Sequence, residues 1–272
     1  MTSPLATEVL PSVRAEFRRN AALVIGISAY AGGVPPLQSA AADAERLANI
    51  LKLQHGYGVT LLKDAQATGA AIRQALAELQ RTIGPEDRVL IYYAGHGHTD
   101  DSSQHAGFLI PADGALSDER TWLSAAELMA QTGQLACRHF LLILDCCFAG
   151  SLRLAGVRET RTRDLIVMPK QLFRERYERF VQGRAWQVLT SSAGDQTASD
   201  VSFDQLARDA AHSPFAQALF AALSGQRSGL LRNDGVITAT DLYCFLRDAV
   251  ELPSLANGRQ QTPQLWPLVQ HD

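Results

Sequence analysis

The chain has 272 residues, 46% hydrophobic and 19% charged, which is enough apolar material for a sizeable core in one large domain or two small ones. A net charge of −3 gives no global attraction to nucleic acid or to an anionic membrane, and no apolar run approaches the roughly 18 residues of a membrane span. The first residues, MTSPLATEVLPSVRAEFRRN, lack a secretory pattern, and Cys137, Cys146, Cys147 and Cys244 form no disulfide framework, so a reducing cytoplasm is expected.

The stretch AALVIGIS (21–28) is a near-continuous apolar run, the mark of a strand buried on both faces. After a Gly/Pro turn, Leu37, Ala40, Ala44, Leu47 and Leu51 recur at helical spacing. GVTLL (58–62) reads as a second strand, and Thr68 as the cap of a helix carrying Ile72, Leu76, Leu79 and Ile83. RVLIYYAG (88–95) and HFLLILDC (139–146) read as the third and fourth strands. Between them lie a Gly/Asp/Ser-rich excursion and a helix opened by the capping box Ser124-x-x-Glu127. WQVLTSS (186–192) is a fifth strand. Ser213-Pro214 opens a helix ending near Gly225, Thr238-x-x-Asp241 opens another, and LWPL is a candidate last strand. Strands alternating with helices predict an α/β fold: a mostly parallel sheet covered on both faces.

Residues 152–185 break this rhythm. They carry nine of the 25 basic residues, Arg153, Arg158, Arg161, Arg163, Lys170, Arg174, Arg176, Arg179 and Arg184 among them. A connection this long is usually functional or mobile.

In open parallel sheets, sites form beyond the carboxyl ends of the strands. The third strand runs into His96 between Gly95 and Gly97, and the fourth into Asp145-Cys146-Cys147. If those strands are parallel neighbours, an imidazole and a thiol emerge at one edge. The imidazole can generate the thiolate nucleophile and later protonate a leaving amine. The Gly97 and Cys147 amides can bind the oxyanion, and glycine beside the histidine admits a substrate backbone.

YYAGHG followed 51 residues later by ILDCCFAG resembles the caspase/metacaspase family of cysteine endopeptidases, in particular its prokaryotic metacaspase/orthocaspase branch. The resemblance runs from ALVIGISAY through TSSAGDQTA to QTPQLWPL. It implies a caspase-type three-layer fold around a six-stranded sheet, a single peptidase domain over 1–272. Residues 1–151 would be large-subunit-like, 152–185 a linker and 186–272 small-subunit-like. The family pattern maps the nucleophile to Cys147. Strand alternation agrees, because Asp145 and Cys147 share one face while Cys146 points into the core.

In metacaspases an aspartate two before the nucleophile lines the primary specificity pocket, with a second acid from the first helix. Here these are Asp145 and Asp43; the bland alternative for Asp43 is a solvated residue pairing with Arg46. Two carboxylates would attract a guanidinium or ammonium group, so the resemblance implies cleavage of proteins after Arg or Lys. A protease of that preference would find its own sites in the Arg-rich linker, which predicts self-cleavage within 152–185. Relatives of this type also imply a role in bacterial regulated cell death or antiphage defence, with a separate activator or target protein.

Phe148-Ala149 replaces the family's His-Ser, a change expected to spare the chemistry, since the roles lie with His96, Cys147 and backbone amides. Calcium activation, common in metacaspases, would draw on Asp100, Asp101, Asp113, Asp118 and Glu119. The family's calcium pair is not cleanly reproduced, so no metal is expected. Two rivals remain. His96-x-His98-x-Asp100-Asp101 resembles a metal-hydrolase motif, but the final histidine and a downstream glycine-histidine ligand are missing. The other rival is a non-catalytic scaffold of the same fold.

Overall fold

The computed structural model describes residues 17–100, 106–146, 183–193, 200, 212–225, 236–256 and 260–271. The main sheet is built from β1 (Arg19–Gly26), β2 (Gly58–Lys63), β3 (Asp87–Ala94), β7 (His139–Asp145), β8 (Ala185–Thr190) and β9 (Gln264–Pro267). Its order is β2-β1-β3-β7-β8-β9, parallel except for the antiparallel β8–β9 pair at the edge. The chain leaves β1 toward β2 on one side and returns to β3 on the other. The carboxyl ends of β1 and β3 therefore flank the point where strand order reverses, a common place for a site.

Among the described residues, five helices cover the sheet: α1 (Ala40–Gln54), α2 (Gly69–Thr82), α3 (Ala125–Thr132), α4 (Pro214–Leu223) and α5 (Ala239–Ala256). Alternation along the strands sorts the core into two layers. Leu23, Ile25, Ile91, Tyr93, Leu142 and Leu144 pack with Ile72 and Leu76 of α2 and Leu128 of α3. Val24, Leu90, Tyr92 and Ile143 pack on the other face with Leu47 and Leu51 of α1, Phe215 and Leu219 of α4, and Leu246 of α5. The expected six-stranded, mostly parallel sheet with helices on both faces is the architecture found.

The predicted helix starts hold. The side-chain oxygens of Thr68, Ser124 and Ser213 accept from the backbone N–H three residues on. The Thr238–Asp241 box closes in both directions. At Ser124 the box is half used, because Glu127 turns instead to Arg73 at 2.6 and 3.0 Å, tying α3 to α2. One close approach explains a glycine: a Cβ on Gly26 would lie 2.3 Å from Ala44 Cβ and 2.5 Å from the Ala40 carbonyl. A bare Cα there lets α1 settle on β1.

The excursion after β3 holds structure that periodicity did not reveal. β4 (Gly97–Asp100), β5 (Ala106–Leu109) and β6 (Leu123–Ser124) form a separate antiparallel sheet. His98, weighed above in the metal-hydrolase motif, lies on β4 with its ring edge-to-face with Trp122 at 5.1 Å.

Candidate active site

β3 and β7 are parallel neighbours paired from Arg88↔His139 to Ala94↔Asp145, so His96 and the Asp145-Cys146 step emerge at one edge. The Gly95 N–H reaches across to the Asp145 carbonyl at 3.4 Å. Cys147 itself lies outside the described residues, as does the Arg-rich segment up to residue 182.

His96 is held from three sides. Its Nε2 lies 2.9 Å from the Pro35 carbonyl. A carbonyl only accepts, so Nε2 carries the proton and Nδ1 of the neutral ring is left as the basic nitrogen. Its backbone N–H donates to the Tyr30 hydroxyl at 2.8 Å, and its carbonyl accepts from the Tyr93 hydroxyl at 2.9 Å. The Tyr30 ring also packs against the imidazole, with centroids 5.1 Å apart. Burial holds both phenols well above their ordinary range, so they stay neutral donors and acceptors. The two hydroxyls leave no room beside them: a Cβ on Gly95 would sit 2.7 Å from that of Tyr93 and 2.9 Å from that of Tyr30.

The direction of the Gly97 amide follows from the peptide it shares with His96. The His96 carbonyl accepts from Ile110 N–H of the neighbouring chain segment at 3.0 Å. Across a trans peptide the N–H points opposite to the C=O. The Gly97 N–H therefore faces away from β5.

The two acids come together on the α1/α4 side of the sheet. Asp43, on the first turn of α1, is 1% exposed, and Asp145, ending β7, is 8% exposed. Ser213 bridges them: its N–H donates to Asp43 Oδ2 at 3.1 Å and its hydroxyl to Asp145 Oδ2 at 2.9 Å. The same hydroxyl caps α4, accepting from Ala216 N–H at 3.0 Å. Tyr92 adds a hydroxyl 3.4 Å from Asp145. His212 closes the other side, with Nδ1 2.5 Å from Asp43 Oδ1.

Burial pushes the Asp145 carboxyl up to about 7, with the charge of Asp43 adding to the rise. Burial pushes Asp43 to about 7 as well, against hydrogen bonds from Ser213 and Ser39, with a further rise from the charge of Asp200. The solvated Asp43–Arg46 pairing does not occur. Arg46, one turn along α1, lies over the Phe220 ring at 5.0 Å. The opposite orientation of Cys146 is observed: it is 3% exposed and packs in the α2/α3 layer.

Tyr30, Pro35, Asp200, His212 and Ser213 were not anticipated as site residues. Asp200 accepts from the Gln38 and Ser39 N–H groups and the Ser39 hydroxyl, which fastens the start of α1. In the sequence, Tyr30 showed only as the end of ALVIGISAY and Ser213 only as a helix start.

Of the acids weighed for calcium, Asp113 accepts from Gly69 N–H at 2.8 Å and Asp118 pairs with Arg120. Asp101 lies outside the described residues. No group of three or more metal-ligating side chains occurs among the described residues. No helix among them is long and apolar enough to cross a membrane.

A family model described as "Caspase domain" matches residues 19–269. Among solved structures, a protein from Geobacter sulfurreducens aligns with a TM-score of 0.60 at 19% identity, covering 93% of this chain and 97% of that one. Caspase-1 from Spodoptera frugiperda aligns with a TM-score of 0.58 at 16% identity, covering 93% and 88%. No curated protein sequence matches the chain.

Proposed function

The chain belongs to the caspase-domain family, and from that premise we propose that it is a cysteine endopeptidase cutting proteins after Arg or Lys. Cys147 is the nucleophile. The His96 Nδ1 takes the thiol proton, the thiolate attacks the scissile carbonyl, and the resulting oxyanion accepts from the Gly97 and Cys147 amides. Collapse expels the amine, which leaves with the proton from Nδ1; water then hydrolyses the thioester with His96 acting again as base. The supporting observation is His96, its Nε2 bound to the Pro35 carbonyl, one strand over from the strand that ends at Asp145-Cys146.

Asp43 and Asp145 hold the basic side chain of the residue before the cut. Two buried carboxylates bridged by one serine form a site whose charge is balanced by an incoming cation. Self-cleavage within 152–185 and an action on a separate partner follow as parts of the same proposal, in the setting of bacterial cell death or defence. The test compares wild type with Cys147→Ala and Cys146→Ala on fluorogenic peptides ending in Arg, Lys or Asp. Activity on Arg and Lys peptides that is lost only in Cys147→Ala supports the proposal. Activity that survives Cys147→Ala, or a preference for Asp, overturns it. Wild-type protein should also show a cut within 152–185 over time that Cys147→Ala does not show.

A further inference from the structure

The acid pair is already occupied. Asp43 Oδ1 meets the His212 imidazole at 2.5 Å and Oδ2 meets Ser213 N–H at 3.1 Å, and at 1% exposure the carboxylate has no open approach. An Arg or Lys side chain can reach it only if one of these partners moves. Ser213 is poorly suited to move: its N–H is main chain, its hydroxyl caps α4 and reaches Asp145, and Pro214 fixes the next φ. His212 has rotatable side-chain bonds and is the more exposed partner, at 13% against 1% for the Asp43 side chain.

We propose that His212 is a specificity-determining residue: its imidazole is a resident occupant of Asp43 that a substrate guanidinium or ammonium must displace. The residue at 212 then sets how strongly a basic side chain is held. This rests on the reading of Asp43 and Asp145 as the substrate-side pocket.

The surroundings give the imidazole a reason to be there and a place to be held. The carboxylate that meets it stands among other acids: the charge of Asp200 acts on Asp43, and that of Asp43 on Asp145, while Arg46 of α1 is turned onto Phe220. The other face of that group is the edge-to-face contact of His212 with the same Phe220 ring, 5.2 Å between centroids. The His212 carbonyl accepts from Gln217 Nε2 at 3.0 Å, which holds the main chain when the ring leaves Asp43. On displacement Asp43 Oδ1 exchanges the imidazole for the incoming cation.

The experiment uses the full chain with His212→Ala and His212→Gln. Binding of agmatine, a free alkylguanidinium, is measured by calorimetry, and KM and kcat are measured on Arg-ending peptides. Removing the occupant is expected to tighten agmatine and lower KM by about tenfold, with kcat changing by less. His212→Gln, which keeps a donor toward Asp43, is expected to fall between, and it decides the question if His212→Ala melts early. Unchanged or weaker agmatine binding with an unchanged KM, in a variant that melts like wild type, overturns the inference. Failure of the pocket reading looks different: wild type then prefers Asp-ending peptides and neither protein binds agmatine.

Discussion

Asp145→Asn tests the acid pair directly, because it removes one charge and keeps the shape. Burial and the neighbouring Asp43 raise the Asp145 carboxyl from an ordinary 3.8 to about 7. That rise corresponds to roughly 4 kcal/mol of cost for ionising it in the folded chain. The sign follows from proton counting. Below about pH 4 the group is neutral folded and unfolded, and no penalty exists. As pH rises from about 4 to 7 the unfolded chain ionises while the folded one holds its proton, so stability is progressively lost, and the loss is complete above about 7. The amide keeps an acceptor for the Ser213 hydroxyl but weakens the remaining hydrogen bonds, an offset of about 1–2 kcal/mol. The variant is therefore expected to be about 2 kcal/mol more stable than wild type at pH 8. At roughly 2–4 °C per kcal/mol for a chain of this size, this is a rise of about 4–8 °C in Tm. The gain should vanish by pH 5. In return, losing one charge-assisted contact should cut kcat/KM on Arg-ending peptides by roughly 10- to 150-fold, or about 1.5–3 kcal/mol. Melting scans at pH 5 and 8, made in a Cys147→Ala background to prevent self-digestion, measure the first effect. A Tm difference of the same size at both pH values, or a variant less stable at pH 8, would refute the reasoning.

Further outcomes follow from the same geometry. Because burial holds both pocket acids up near 7, an Arg-ending peptide should meet an ionised pocket only at higher pH, and its KM should fall at least about fivefold from pH 6 to 8; a flat KM over that range contradicts it. Tyr30→Phe leaves the His96 N–H without its acceptor and should lower kcat roughly tenfold with little change in KM, read by steady-state kinetics. Gly95→Ala must push aside the Tyr30 and Tyr93 hydroxyls, so kcat should drop further than in Tyr30→Phe while the far-ultraviolet circular dichroism stays as in wild type.

The main sheet and the five helices among the described residues were legible in the sequence because their signals are local. Apolar runs such as LLIL mark doubly covered strands, and Thr68, Ser124, Ser213 and Thr238 announce the helices they cap. The β4–β6 sheet was not legible. Its strands have four, four and two residues, too short to show a period, and they exist through pairing with each other. The site was legible in its parts but not in its arrangement. Alternation correctly sent Cys146 inward, and Asp43 and Asp145 lie close enough for one serine to bond to both. Their partners could not be found by spacing, since His212 and Ser213 lie 169 and 170 residues from Asp43 in sequence. Only folding shows that a helix cap is also the bridge between two acids.

The pairing of β7 with β8 bears on how this chain could be divided. Six register pairs, from His139↔Ala185 to Leu144↔Thr190, join the strands on either side of residues 147–182. The contacts of Asp43 and Asp145 with His212 and Ser213 cross the same divide. A break anywhere in that stretch severs none of these pairs. Two separately expressed pieces, one ending and one beginning there, should accordingly find each other and rebuild the site as a heterodimer, with the sheet serving as the recognition surface between them.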